Sequence, residues 1–265
     1  MIQGKKINFL TFSDSRYDSW KLIYKEAVQT GWFDRIVAGD ERLFEKWYTE
    51  KYKNRFKERG FGYWQWKSYL IRRELDRMDM GDILLYCDAG CKINRGGYSM
   101  FCQYIDILSN SDSGVLVFEQ GLISGEFTKA DVFNYFGVLH NIQYTEGRQI
   151  YSGVILLMKC KVSFELINQW YYIMHNEHHL ATDELSSINN LSQFVENRHD
   201  QSILDILTRL FSCVRLPENE VYRVDEDWQK MIEKPIWITR RHCIHISFIK
   251  YLWQRLRIYR LTVKH

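Results

Sequence analysis

The sequence predicts an α/β fold built on a mostly parallel sheet, and three observations carry that expectation. Short apolar runs alternate with amphipathic helical stripes along most of the chain. Polar turns close several of these runs, as where Ile7–Phe12 gives way to Ser13-Asp14-Ser15. The composition (265 residues, 46% hydrophobic, 26% charged, 2 Pro, 15 Gly) suits a packed core and excludes disordered or collagen-like chains.

The elements follow in order. Ile7–Phe12 reads as a strand running into a polar loop. Trp20, Ile23, Tyr24, Ala27 and Val28 recur on one helical face, and Gly31 ends that helix. Residues 36–38 form a second strand. Gly60-Phe61-Gly62 breaks the chain before a helix over about 63–78, and Asp79 to Gly81 stops it. Ile83–Cys87 is a buried strand, with further strands over 115–118 and 153–159. Phe164, Ile167, Tyr171 and Met174 stripe one helix, and Ile203, Leu204, Leu207 and Phe211 another. Strands separated by helices imply crossovers and a parallel sheet, whose ligands bind at the carboxyl ends of strands.

The net charge of +3 is unevenly placed. Residues 240–265 carry seven basic side chains and no acid, whereas residues 1–239 carry 29 basic against 33 acidic, or −4. The expected division is a body over 1–239 and a basic segment over 240–265. No run of about 18 apolar residues predicts a spanning helix. The first residues lack the apolar stretch of a secretory signal. The six cysteines show no paired CxxC spacing, so they read as reduced, mostly buried cytosolic thiols rather than zinc ligands.

Three stretches carry candidate chemistry. In Leu85-Tyr86-Cys87-Asp88-Ala89-Gly90 a buried strand delivers Asp88 at its carboxyl end, beside a small-residue turn. An Asp there holds a hard divalent cation or caps the turn's own amides. In Gly60-Phe61-Gly62-Tyr63-Trp64-Gln65-Trp66-Lys67, Lys67 falls with Trp64, Ile71, Leu75 and Met78 on a core-facing stripe, where its charge needs a phosphate partner or a route to water. Arg72 and Arg73 are further basic candidates that also suit a solvated face. Asp200-Gln201-Ser202-Ile203-Leu204 opens a helix: Asp200 suits an N-cap, and His199, Asp200 and Gln201 together suit a reader of sugar hydroxyls.

In this order along residues 5–215, the motifs resemble those of GT-A (Rossmann-like) glycosyltransferases, similar to family 8-like bacterial polysaccharide and lipopolysaccharide transferases. Asp88 matches the first acid of the metal-binding DxD, and Gly90 replaces the second. Tyr151-Ser152-Gly153-Val154 matches a small-Gly-Val turn opening a strand, and Asp200-Gln201-Ser202-Ile203-Leu204 matches the Asp-Gln stretch. The resemblance implies a UDP-sugar donor held by Thr11, Ser13, Asp14, Lys67, Tyr86, Asp88, Ala89 and Gly90. It implies Mn²⁺ or Mg²⁺ on Asp88, with His242 and His245 as candidates for the missing ligands. It implies Asp200, Gln201 and Lys67 as catalytic residues, Lys67 and the metal offsetting charge on departing UDP. The transfer would retain anomeric configuration, with Asp200 as base of an inverting reaction left open. The aromatic-rich region 119–148 would line the acceptor site or belong to the core.

Residues 247–263 read as a basic amphipathic helix with Phe248, Leu252, Trp253, Leu256 and Tyr259 on its apolar side. It would bind an anionic membrane surface, or pack on the body with its Arg residues to water. The expected protein is thus a cytoplasmic transferase, peripheral at the inner face of the cell membrane, acting on a glycan or lipid-linked acceptor. The acidic body argues against nucleic acid. No Gly-rich phosphate loop follows the first strand, which argues against a nucleotidyltransferase. A degenerate nucleotide-sugar-binding interaction protein is the non-enzyme alternative, because of Gly90.

Overall fold

The computed structural model describes residues 1–2, 4–224, 228–239 and 241. The elements in chain order are β1 (Ile7–Phe12), α1 (Ser19–Thr30), β2 (Arg35–Gly39), α2 (Lys46–Tyr52), the single turn α3 (Gly60–Tyr63), α4 (Gln65–Asp76), β3 (Ile83–Cys87), β4 (Cys91–Ile93), α5 (Tyr98–Ser109) and β5 (Val115–Ile123). There follow α6 (Ala130–Tyr135), α7 (Ile142–Thr145), β6 (Arg148–Met158), α8 (Lys161–Asn176), α9 (Asp200–Leu210), β7 (Val214–Leu216), α10 (Trp228–Ile232) and β8 (Ile236–Ile238).

Six strands form one sheet in the order β2-β1-β3-β6-β5-β7. β1 is parallel to β2 and β3, and β5 is parallel to β7, while β6 runs antiparallel to both β3 and β5. Five strands therefore point one way and β6 alone points back. This is the mostly parallel, helix-flanked sheet that the sequence predicts. β4 and β8 pair separately, antiparallel.

The central strands are buried on both faces, as in sheets covered by helices on each side. Along β3, Leu84 and Tyr86 enter the core layer that holds α4, α8 and α9, while Ile83, Leu85 and Cys87 enter the layer beneath α1 and α5. The two-residue period of a strand decides this partition. It also puts Asp88, two residues beyond Tyr86, on the α4 side.

Most predicted elements are present, with informative differences. α1 ends at Gly31 in the left-handed region (φ 68°), as its glycine suggests. β6 starts at Arg148, so Tyr151-Ser152-Gly153 lies within the strand and does not form the expected turn before it. The helix expected over 63–78 begins at Gln65. The turn before it is wound left-handed: Gly60, Phe61, Gly62, Tyr63 and Trp64 all have φ between 48° and 88°. That hand costs each non-glycine residue about 1–2 kcal/mol, so tertiary contacts must hold it. Phe61 stacks on Phe56 at 4.4 Å, and the Trp66 indole N–H donates to the Gly60 carbonyl.

The five described cysteines, Cys87, Cys91, Cys102, Cys160 and Cys213, are all free. Among the described residues no helix is long and apolar enough to cross a membrane. Arg241 is anchored to the body: its N–H donates to the Gly90 carbonyl and its guanidinium grips both oxygens of Glu26. His242, His245 and the basic helix expected over 247–263 lie outside the described residues.

Candidate active site

Three separate stretches of sequence meet at the carboxyl edge of β3. α4 brings Lys67, the end of β3 brings Asp88, and the first residue of α9 brings Asp200. The Lys67 Nζ lies 2.9 Å from Asp200 Oδ2 and 3.4 Å from Asp88 Oδ1. It also donates to the Ser152 carbonyl and hydroxyl, at 3.3 and 3.2 Å. Lys67 is 1% exposed and Asp200 4%, whereas the Asp88 side chain keeps 32% of its surface open.

Each partner is positioned by its element. β3 and β6 pair so that the Asp88 N–H donates to the Gly153 carbonyl at 2.7 Å. A β-carbon on Gly153 would overlap both the Asp88 carboxylate and the Tyr151 ring, so only glycine fits there. Tyr86 shares the face of Asp88 and donates to its Oδ1 at 2.7 Å, and Tyr151 donates to Oδ2 at 3.4 Å. The Ser152 hydroxyl donates to Asp200 Oδ2 at 3.0 Å. Asp200 is the first helical residue rather than the cap, which is His199, so its carboxylate faces the site from a helix N-terminus that favours negative charge.

Charge follows from these contacts. Burial works against the Lys67 ammonium, but Asp200 and Asp88 outweigh it and leave its pKa above the ordinary lysine value. Burial lifts the Asp200 carboxyl above the usual range, and Lys67 pulls it back only in part. Burial, then the Asp88 charge, pushes the Tyr86 phenol well up, so it stays a donor. Removing one member of such a buried pair strands the other charge and costs about 3–5 kcal/mol.

Gln201 lies beside this cluster. Its Oε1 accepts from the Ser152 N–H at 3.4 Å, and its Nε2 donates to Gln149 Oε1 at 2.6 Å. Gln149 in turn donates to the Phe127 carbonyl and Thr128 hydroxyl. The β1 end lies on the same edge, since Leu10 pairs with Tyr86. There Thr11 is buried with its hydroxyl unpartnered, and Ser13 bonds the Tyr17 carbonyl. Asp14 is held by Arg16 at 2.6 Å. Ala89 is buried, and the Gly90 carbonyl accepts from Thr239 and Arg241.

Lys67 spends its charge on carboxylates, not on a route to water. Arg72 bonds Asn168, and Arg73 bonds Glu74 and the Leu43 carbonyl, so neither faces the cluster. Of the aromatic residues in 119–148, Phe133 is fully buried and Phe136 and Tyr144 pack against the core, whereas Tyr135 is exposed. The contacts also involve Ser152, Tyr151 and Gln149, which the motifs do not mark as site residues, and His199, which the sequence marks beside Asp200 and Gln201. Tyr151 and Ser152 stand inside a matched motif, which is the one signal that points to them.

The described donors do not complete a divalent-ion site. Asp88 already receives two phenols and faces an ammonium, Gly90 offers no carboxylate, and among the described residues no three His, Cys, Asp or Glu side chains come together.

No protein-family model matches the chain, and no curated protein is significantly similar to it. Among solved structures, the chain is similar to a glycosyltransferase involved in glycosylation of the major capsid of PBCV-1. The identity is 10% and the TM-score 0.47, over 95% of this chain and 99% of that one. It is also similar to mouse xyloside xylosyltransferase 1 (12% identity, TM-score 0.42, 87% and 83% covered). A third is the galactosyltransferase LgtC in complex with donor and acceptor sugar analogues (11% identity, TM-score 0.43, 96% and 94% covered). At these scores the likenesses carry no weight for activity, which has to come from the site.

Proposed function

We propose that the chain is a glycosyltransferase that moves a sugar from a nucleotide sugar, with UDP-sugar the donor, to a glycan or lipid-linked acceptor. One observation carries this reading: Lys67, Asp88 and Asp200, drawn from three motifs matched in order, converge at the carboxyl edge of the sheet. Ligands of parallel sheets bind at that edge. The donor would lie between the β1 end, with Thr11, Ser13 and Asp14, and the Asp88-Ala89-Gly90 turn. Asp200 and Gln201 would hold the donor sugar's hydroxyls near the anomeric carbon. Lys67 contacts both carboxylates and orients them, an electrostatic role fixed before substrate arrives. A divalent ion on Asp88 would need ligands beyond those described, with His242 and His245 as candidates. It would offset charge on the leaving diphosphate.

The assay is turnover of a panel of nucleotide sugars, by transfer or hydrolysis, with and without Mn²⁺. Turnover reduced about 10²–10³-fold in Asp88→Ala and Asp200→Asn is expected, the scale of losing one preorganised electrostatic group. Tight UDP binding without turnover of any donor overturns the enzyme reading. It would leave a nucleotide-sugar-binding interaction protein, the alternative that Gly90 favours. The basic segment supports a peripheral position at the inner face of the cell membrane, because seven cations without an acid suit an anionic surface. Deletion after about residue 247 is expected to abolish binding to anionic vesicles and leave UDP binding unchanged. Unchanged vesicle binding overturns the membrane assignment.

A further inference from the structure

Lys67 and Asp200, the 2.9 Å pair at the centre of the site, each follow closely on a strained stretch of backbone. Lys67 comes three residues after Trp64, the last of five consecutive residues with positive φ. Asp200 comes one residue after His199, whose φ of 57° and ψ of −121° suit glycine and few other residues. Strain of this kind persists only where the surroundings over-determine it.

Here the surroundings are shared. The Trp64 indole stacks on the His199 imidazole, with centroids 5.2 Å apart and planes 20° from parallel. The Tyr63 ring lies 5.1 Å from the same imidazole. His199 is 3% exposed, and its Nδ1 lies 2.8 Å from the Ala181 carbonyl. Tyr63 and Arg59 both bond Asp183, whose Oδ1 is 3.7 Å from His199 Nε2. Burial holds the imidazole below its ordinary pKa, so the ring is neutral and Nδ1 donates to that carbonyl.

We propose that the Trp64–His199 stack is a clamp that sets the Lys67–Asp200 pair, with Trp64 and His199 as positioning residues. Without the stack, His199 relaxes toward ordinary φ and turns the next residue, Asp200, away from Nζ. Lys67 then stays buried without its nearest counter-charge. The clamp belongs to the geometry of the cluster and does not rest on the nucleotide-sugar reading.

The test follows the Lys67 ammonium in the full chain by its ¹H–¹⁵N NMR signal at one fixed pH, with Lys67→Arg assigning that signal. An ammonium held by a buried carboxylate exchanges its protons with water slowly, so the exchange rate reads the pair. Trp64→Leu and His199→Ala each remove the stack, and each is expected to speed exchange about tenfold, the scale of losing one charge-assisted hydrogen bond. His199→Phe keeps an aromatic ring on Trp64 and retains the parent exchange rate. A merely structural role would lower Tm and leave the exchange rate in place. The clamp is overturned if Lys67 exchanges as in the parent in Trp64→Leu. It is equally overturned if His199→Phe exchanges as fast as Trp64→Leu.

Discussion

A lysine on the core side of a helix asks for a counter-charge, and Lys67 has two. Its stripe with Ile71 and Leu75 is legible in the sequence, and so is the cost of burying it. The identity of its partners is not, because Asp88 and Asp200 are 112 residues apart in sequence and share a site only through the sheet. Gly153 shows the same limit. A glycine in a strand signals close approach, but what approaches is the Asp88 carboxylate, brought there by the β3–β6 register. Gly153→Ala is therefore expected to cost about 1–3 kcal/mol, the range for overpacking. It should also displace Asp88 and Tyr151, weakening UDP binding at least as much as Asp88→Ala does. Paired thermal melts and UDP titrations check both parts.

The elements divide in a similar way. α1, α4, α8 and α9 are legible because each carries an apolar face at helical spacing. The direction of β6 is not, since the two-residue period of a buried strand reads the same in either direction. The left-handed turn before α4 is half legible: Gly60-Phe61-Gly62 marks a break, but the glycines do not announce that Phe61, Tyr63 and Trp64 follow them into positive φ. Aromatic packing around the turn supplies that constraint. Gly60→Ala tests it, because an added β-carbon would lie 2.5 Å from the Trp64 ring at φ 59°. A loss of about 2 kcal/mol is expected, combining the wrong-handed backbone with the clash. Gly31→Ala is the control: φ is 68° there, but nothing lies within 4 Å. That change should cost only about 1 kcal/mol and leave ligand binding untouched. Urea unfolding of the two variants separates the contributions.

At the scale of the whole molecule, a buried histidine between two helices helps set the response to acid. His175 on α8 is buried between α2 and its own helix, with Nδ1 2.7 Å from the Tyr171 carbonyl and Nε2 3.0 Å from the Tyr48 hydroxyl. Burial drives its pKa down to about 3. The folded chain thus refuses a proton that the unfolded chain accepts near pH 6.5. Stability is full above that value and declines as pH falls toward about 3, by on the order of 5 kcal/mol in all. His175→Gln is expected to flatten that decline, as read by urea midpoints from pH 7 to 4. The charge balance has a similar two-part character: the net +3 joins a −4 body to a +7 segment, and among the described residues Lys67, Asp88 and Asp200, all of the body, supply the charges that meet at the candidate site. By itself the sequence determined the α/β class and the principal helices and strands, and marked Lys67, Asp88 and Asp200 as candidates, because apolar periodicity, the end of a strand or helix and the cost of a misplaced charge are local properties. Only the tertiary structure decided that these residues meet, which strand runs backward, and that Ser152, Tyr151, Trp64 and His199 hold them, because those depend on register and on contacts between segments far apart in the chain.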